Sequence, residues 1–174
     1  FNRPYVAGPE YEYIVDAIAR GHSAGDGYYT EQCTKLLEER SGAHKVLLTT
    51  SCTTALELSS MLLNLTPKHN VIVPSFSFVT TALAFTRNGA ELRFADVDPV
   101  TLCMSPTSVS ELVDSNTRAI VPVHYAGISA DLEELEQIVD AFEDLSMVED
   151  NAHGLFGSHR GLPLGSFGRF STLS

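Results

Sequence analysis

The spacing of apolar residues changes character partway along this chain. Over residues 9–20 the apolar positions Tyr13, Ile14, Ala17 and Ile18 fall on one face of a helix that stops at Gly21. The residues before it, 1–8, read as a loop or arm, and 21–27 are too rich in Gly to form an element. Residues 29–41 predict a second amphipathic helix, with Leu36 and Leu37 turned inward. From residue 45 short Val-, Leu- and Ile-rich runs alternate with helical spacing. Strands are predicted at 45–50, 70–74, 91–97, 117–124 and 146–149, with another beginning at 168. Helices are predicted at 53–63 and at 78–87, the latter closed by Asn88-Gly89. A third is opened by Ser105-Pro106 and runs to 113, in the order of an N-cap followed by Pro at the first helical position. The last runs from Asp131 to 143, with Glu134 three residues on as in a capping box.

Five βα units with short connections predict an α/β fold. Its central sheet is mostly parallel, with helices on both faces and right-handed crossovers. Ligands in such sheets bind outside the carboxyl ends of the strands, so the strand-to-helix turns are where chemistry is sought. Four of these turns carry candidates.

Thr49-Thr50-Ser51-Cys52-Thr53-Thr54 joins a strand directly to a helix, and free N–H groups there would suit a phosphate. Simple N-capping by Ser or Thr is the alternative. Pro74-Ser75-Phe76-Ser77-Phe78 brings an aromatic residue that either stacks on a flat ring or belongs to the core. His124-Tyr125-Ala126-Gly127 ends the next strand, where the imidazole could serve a site or be a hydrogen-bonded structural residue. Met147-Val148-Glu149-Asp150-Asn151-Ala152-His153-Gly154 ends in two carboxylates, with a histidine three residues after the second. A carboxylate at a buried strand end must be paired or hydrogen-bonded, and a protonated heterocyclic nitrogen is one fitting partner. Asp150 could equally be a capping residue. A metal would need a third ligand that the sequence does not show. Neither GxGxxG nor GxxxxGK[ST] occurs, so no dinucleotide or nucleoside-triphosphate loop is supported. Together the four turns offer an anion site, a stacking face, an imidazole and a carboxylate, the groups that pyridoxal 5′-phosphate (PLP) requires.

Composition narrows the partners rather than the fold. The net charge of −11 argues against nucleic acid or an anionic membrane surface. Cys33, Cys52 and Cys103 are odd in number and lack metal-site spacing, so a reducing, cytoplasmic compartment is expected. No apolar run reaches spanning length. The 174 residues suit one domain. A start without Met and a stop inside a strand-like run read as a piece of a longer polypeptide.

Six motifs, in order, resemble the N-terminal part of the DegT/DnrJ-type nucleotide-sugar aminotransferases, which have the type I (aspartate aminotransferase) PLP fold. They are Gly25-Asp26-Gly27 with Thr30, Thr50-Ser51-Cys52-Thr53, Pro74-Ser75-Phe76-Ser77-Phe78-Val79, Asp96-Val97-Asp98-Pro99, Pro122-Val123-His124-Tyr125-Ala126-Gly127 and Glu149-Asp150-Asn151-Ala152-His153. The resemblance implies that residues 1–174 are the N-terminal part of the large PLP-binding domain, with the C-terminal small domain absent. It implies that Asp150 pairs with the pyridine nitrogen and that His153 contacts the phenolic oxygen. Phe78 falls at the ring-stacking position. Backbone N–H groups of Cys52 and Thr53 would hold the phosphate, and Ser174 aligns with a serine that also touches it. Asp26, His124 and Tyr125 stand as candidate substrate contacts. The His-Tyr-Ala-Gly and Gly-Asp-Gly variants look most like the subgroup that aminates C4 of dTDP-4-keto-6-deoxyglucose with glutamate as donor. Homodimers are the family's working form.

The Schiff-base lysine of the family lies a few residues beyond the serine aligned with Ser174. Lys35, Lys45 and Lys68 are the only lysines here, and none is expected to end a strand near Asp150. No catalytic residue proper is therefore expected within 1–174, and this chain is expected to be inactive alone. Some members of the family carry histidine for lysine and dehydrate a sugar at C3. A non-catalytic relative, or a plain α/β nucleotide-binding domain, are the other readings.

Overall fold

The computed structural model describes residues 5–22 and 24–174. The expected arm and the Gly-rich loop therefore lie partly outside the described residues. The chain divides into two units, Phe1–Leu48 and Thr49–Ser174.

In the first unit α1 spans Glu10–Ala19 and α2 spans Tyr28–Ser41. The Tyr29 hydroxyl donates to Asp16 Oδ2 at 2.8 Å, and the Tyr13 and Tyr29 rings pack with centroids 5.4 Å apart. Gly42 closes α2 at φ 72°, the left-handed conformation a helix end commonly takes and glycine adopts without strain. The strand expected at 45–50 does not form. Among the described residues nothing pairs with it, and its Val46 N–H donates instead to the Glu38 carboxylate at 3.1 Å. Without a partner ladder, an apolar run stays irregular.

The second unit begins with α3, Cys52–Leu62. A parallel sheet follows, built from β1 (Asn70–Pro74), β2 (Glu91–Ala95), β3 (Thr117–Ile120) and β4 (Ser146–Asp150). A short antiparallel hairpin, β5 (Ser158–His159) with β6 (Leu162–Pro163), precedes the last parallel strand, β7 (Phe170–Thr172). The order across the sheet is β2-β1-β3-β4-β7. Successive connections run to opposite sides of β1, so the chain reverses its winding between β1 and β3. The helices α4 (Val79–Leu83), α5 (Pro106–Leu112) and α6 (Leu132–Asp140) complete the layers.

Side-chain alternation sorts the core into two faces. Val71, Val73, Ala119, Val121 and Val148 pack with Leu56 of α3 and with Phe85; Ile72, Ile120 and Met147 pack with Val109 of α5 and Leu132 and Leu135 of α6. Helices thus cover both faces of a parallel sheet, as the periodicity predicts.

Several ends are shorter than expected, each for a local reason. β3 stops at Ile120 because Pro122 has no N–H to donate; its carbonyl still accepts from Asp150 N at 2.9 Å. The helix expected over 78–87 is one short piece, Val79–Leu83. Beyond it Phe85 and Thr86 bond three residues back, to Ala82 and Leu83, and the run ends at Gly89 with φ 80°. The caps form as read: Ser105 accepts from Ser108 N, and Asp131 from Glu134 N. Among the described residues no helix is long and apolar enough to cross a membrane.

Candidate active site

The carboxyl ends of β1, β3 and β4, together with the start of α3, bring most of the sequence candidates to one edge of the sheet. Asp150 is the last residue of β4 and is 4% exposed. Its Oδ2 accepts from Thr81 Oγ1 at 2.8 Å. Its Oδ1 accepts from Ala152 N at 3.3 Å and has the Cys52 thiol at 3.9 Å. Among the described residues no Lys, Arg or His forms an ion pair with it. A buried carboxylate with donors but no counter-ion is poised for a cationic partner.

Cys52 opens α3. Ser51 caps that helix, accepting from Thr54 N at 3.1 Å. Among the described residues the N–H groups of Cys52 and Thr53 have no internal acceptor. These two donors at a helix start form the kind of cradle a phosphate takes, and the hydroxyls of Thr50, Ser51 and Thr54 cluster beside them. The Cys52 side chain points the other way, donating to the buried Thr172 Oγ1 at 3.4 Å. Burial pushes the thiol pKa up, against the opposing Thr172 hydrogen bond and with a smaller contribution from the nearby Asp150 charge.

His153 Nδ1 accepts from Ala126 N at 3.2 Å. Nδ1 therefore carries the lone pair, and the proton of the neutral ring sits on Nε2, a donor free to face a ligand oxygen. Ala126 holds φ 53° to aim that N–H, and Gly127 follows at φ 81°. The Tyr125 ring sits edge-on to His153 (centroids 5.7 Å) and against Phe76 (4.8 Å). Phe78 is the exposed N-cap of α4, its ring free of the core. Ser174 lies two residues beyond β7, whose Thr172 is in register with Asp150. Asp26 belongs to the first unit, exposed at φ 60°.

One candidate is corrected. His124 is completely buried, with Nε2 2.9 Å from Glu149 Oε2 and Nδ1 accepting from Ala130 N at 3.2 Å. Both ring nitrogens are taken, so no substrate can reach them, and His124 is the structural histidine left open as the alternative.

Two residues escaped the sequence reading. Glu149 is fully buried. It accepts from Gly165, Phe167 and Gly168 N–H groups at 2.8, 2.9 and 2.6 Å, as well as from His124, and so pins the loop that leads into β7. Thr81 is the residue holding Asp150. Neither has a local signal: Glu149 looks like the partner of Asp150 in a motif, and Thr81 like one of two adjacent helix threonines.

The profile of the DegT/DnrJ/EryC1/StrS aminotransferase family matches residues 7–174. The chain belongs to that family. It is 30% identical over 166 residues to the UDP-4-amino-4-deoxy-L-arabinose–oxoglutarate aminotransferase of Shewanella sediminis, covering 95% of this chain and 42% of that protein. Among solved structures it superposes on a putative sugar aminotransferase of Streptococcus pneumoniae in its PMP form. There the TM-score is 0.91 at 27% identity, over 100% of this chain and 47% of that one. It also superposes on a GDP-4-keto-6-deoxymannose-3-dehydratase with a TM-score of 0.87 at 26% identity, over 95% of this chain and 44% of that one. The chain thus spans somewhat under half the length of these relatives. The family implies PLP as cofactor. The buried, unpaired Asp150, the two free N–H groups of α3 and the Nε2 donor of His153 fit its ring nitrogen, phosphate and phenolic oxygen.

Proposed function

We propose that the full-length protein is a PLP-dependent aminotransferase. It would move the amino group of glutamate to the keto carbon of a 4-keto-6-deoxy sugar nucleotide of the dTDP-4-keto-6-deoxyglucose type. The products are 2-oxoglutarate and the 4-amino sugar; the water lost from the keto carbon is balanced by the water that supplies the oxo oxygen of 2-oxoglutarate. Asp150, buried and without a cationic partner among the described residues, is the observation that carries this reading. When bound, PLP supplies an electron sink for the carbon that exchanges its amino group.

The chain's own residues prepare that site. Asp150 would hold a proton on the ring nitrogen. Cys52 and Thr53 would anchor the phosphate through main-chain N–H groups, aided by Ser174. His153 would donate from Nε2 to the phenolic oxygen, Phe78 would cover a ring face, and Tyr125 would contact substrate. The lysine that carries the cofactor lies beyond Ser174. Lys45 is paired with Glu38, and Lys68 precedes β1, at the edge of the sheet opposite Asp150. Residues 1–174 alone are therefore inactive, and the working form is a homodimer of the full chain.

The test is a PLP titration of the full-length protein, followed by release of 2-oxoglutarate from glutamate with the keto sugar nucleotide. Asp150→Ala is expected to weaken PLP retention by an order of magnitude or more, about 1.4 kcal/mol. Unchanged retention refutes the cofactor reading. The likeness to the dehydratase supports a second reading, loss of the C3 hydroxyl without net amination. Histidine in place of lysine after Ser174 would select it.

A further inference from the structure

The side chain facing Asp150 from α4 belongs to Thr81, which is 1% exposed. A helical threonine ordinarily satisfies its hydroxyl by bonding back one turn to a main-chain carbonyl, as Ser59 does to Ala55 in α3. Thr81 makes no such bond among the described residues. Its Oγ1 reaches Asp150 Oδ2 at 2.8 Å, across 69 positions of sequence. An ionised carboxylate only accepts, so the hydroxyl proton points at Asp150, and a charge-assisted bond of this kind is among the stronger ones. The neighbouring Thr80 hydroxyl meets Thr53 Oγ1 at 3.2 Å, which ties α4 to the start of α3. α4 is thus fastened at adjacent residues to both halves of the site.

We propose that Thr81 is a positioning residue for the cofactor, a role that rests on Asp150 being the ring-nitrogen partner. By occupying Oδ2 it fixes the carboxylate rotamer. Oδ1, which has only the 3.3 Å Ala152 N–H and the distant thiol, is left as the oxygen with accepting capacity to spare for a protonated ring nitrogen. The residue acts through Asp150 and touches no reacting atom.

The experiment uses apo full-length protein and measures affinity for PLP and for 1-deaza-PLP, which keeps the phosphate and phenol but lacks the ring nitrogen. Thr81→Val replaces the hydroxyl by a methyl of the same shape. It is expected to weaken PLP binding about tenfold and to leave 1-deaza-PLP binding within about twofold of wild type. Thr81→Ser, which keeps the hydroxyl, should restore PLP affinity. Equal losses for both ligands in Thr81→Val would make Thr81 merely structural and overturn the proposal. So would wild-type PLP affinity in Thr81→Val while Asp150→Asn binds PLP poorly, an outcome that leaves the reading of Asp150 standing. Wild-type PLP affinity in Asp150→Asn would remove that reading and this one together. If valine at 81 prevents folding, Thr81→Ala carries the same expectations.

Discussion

Glu149 gathers four donors on one carboxylate with no access to water, three from the main chain of a single loop and one from an imidazole. The arrangement is closed. Ala130 N–H commits His124 Nδ1 to accepting, so the ring can only donate to Glu149 from Nε2. Glu149→Gln would turn an NH2 group toward donors that need an acceptor. It should cost about 2–3 kcal/mol of stability, read as a lower urea midpoint with unchanged slope. The place of Asp150 at the end of β4 was legible in sequence because a strand end is a local feature. The roles of Glu149, His124 and Thr81 were not, because each is decided by partners 6 to 69 residues away along the chain. His124 shows the limit well. Its place at the end of the strand expected from sequence suits a ligand contact as much as a buried support, and only the occupancy of both nitrogens separates the two.

At the scale of elements, α3 combines two tasks at its first turn. Ser51 takes up the Thr54 N–H, while Cys52 and Thr53 keep theirs free. Capping, which forms, and anion binding, read from sequence as alternatives, are compatible because they use different donors. Ser51→Ala should destabilise the apo protein by about 1 kcal/mol, measurable by thermal or urea unfolding. Helix positions and strand cores were readable from apolar period, and the caps at Ser105 and Asp131 from residue type. Element ends were less so. Whether residues 45–50 pair depends on a neighbouring strand, and the helix after Phe78 stops where Phe85 and Thr86 bond three residues back.

Across the whole sheet, polar chemistry is divided between the two edges. The carboxyl edge holds the candidate site, whereas the amino edge carries a bolt centred on Asp114. Its Oδ1 accepts from Asn70 at the start of β1 at 3.0 Å and from Asn116 N at 2.8 Å. Its Oδ2 pairs with Arg93 of β2 at 2.8 Å, and Thr117 of β3 bonds Asn70. The Asn70 hydrogen bond, the largest cause, pulls the Asp114 carboxyl down to about 2; burial, the next in size, opposes it, and the Asn116 N–H and Arg93 add to the lowering. A carboxyl depressed in the folded state stabilises it fully above its unfolded value of about 4. That contribution is lost as pH falls through about 2. Asp114→Asn should therefore lower the urea midpoint at about pH 6 and make little difference near pH 2.

β4 presents Glu149 and Asp150 to opposite faces, one toward the loop before β7 and the other toward α3 and α4. Strand periodicity makes this a matter of parity. Removing one residue between β3 and β4 while the ladder holds would put Asp150 in the place of Glu149, Asn151 in that of Asp150, and Glu149 in that of Val148 within the apolar core. Both carboxylates would then have lost their hydrogen-bond partners, although no side chain had been substituted. The connection through α6 should accordingly tolerate replacement far better than a change of length by one. Over evolutionary time its loops are free to vary only where the strand's phase is kept.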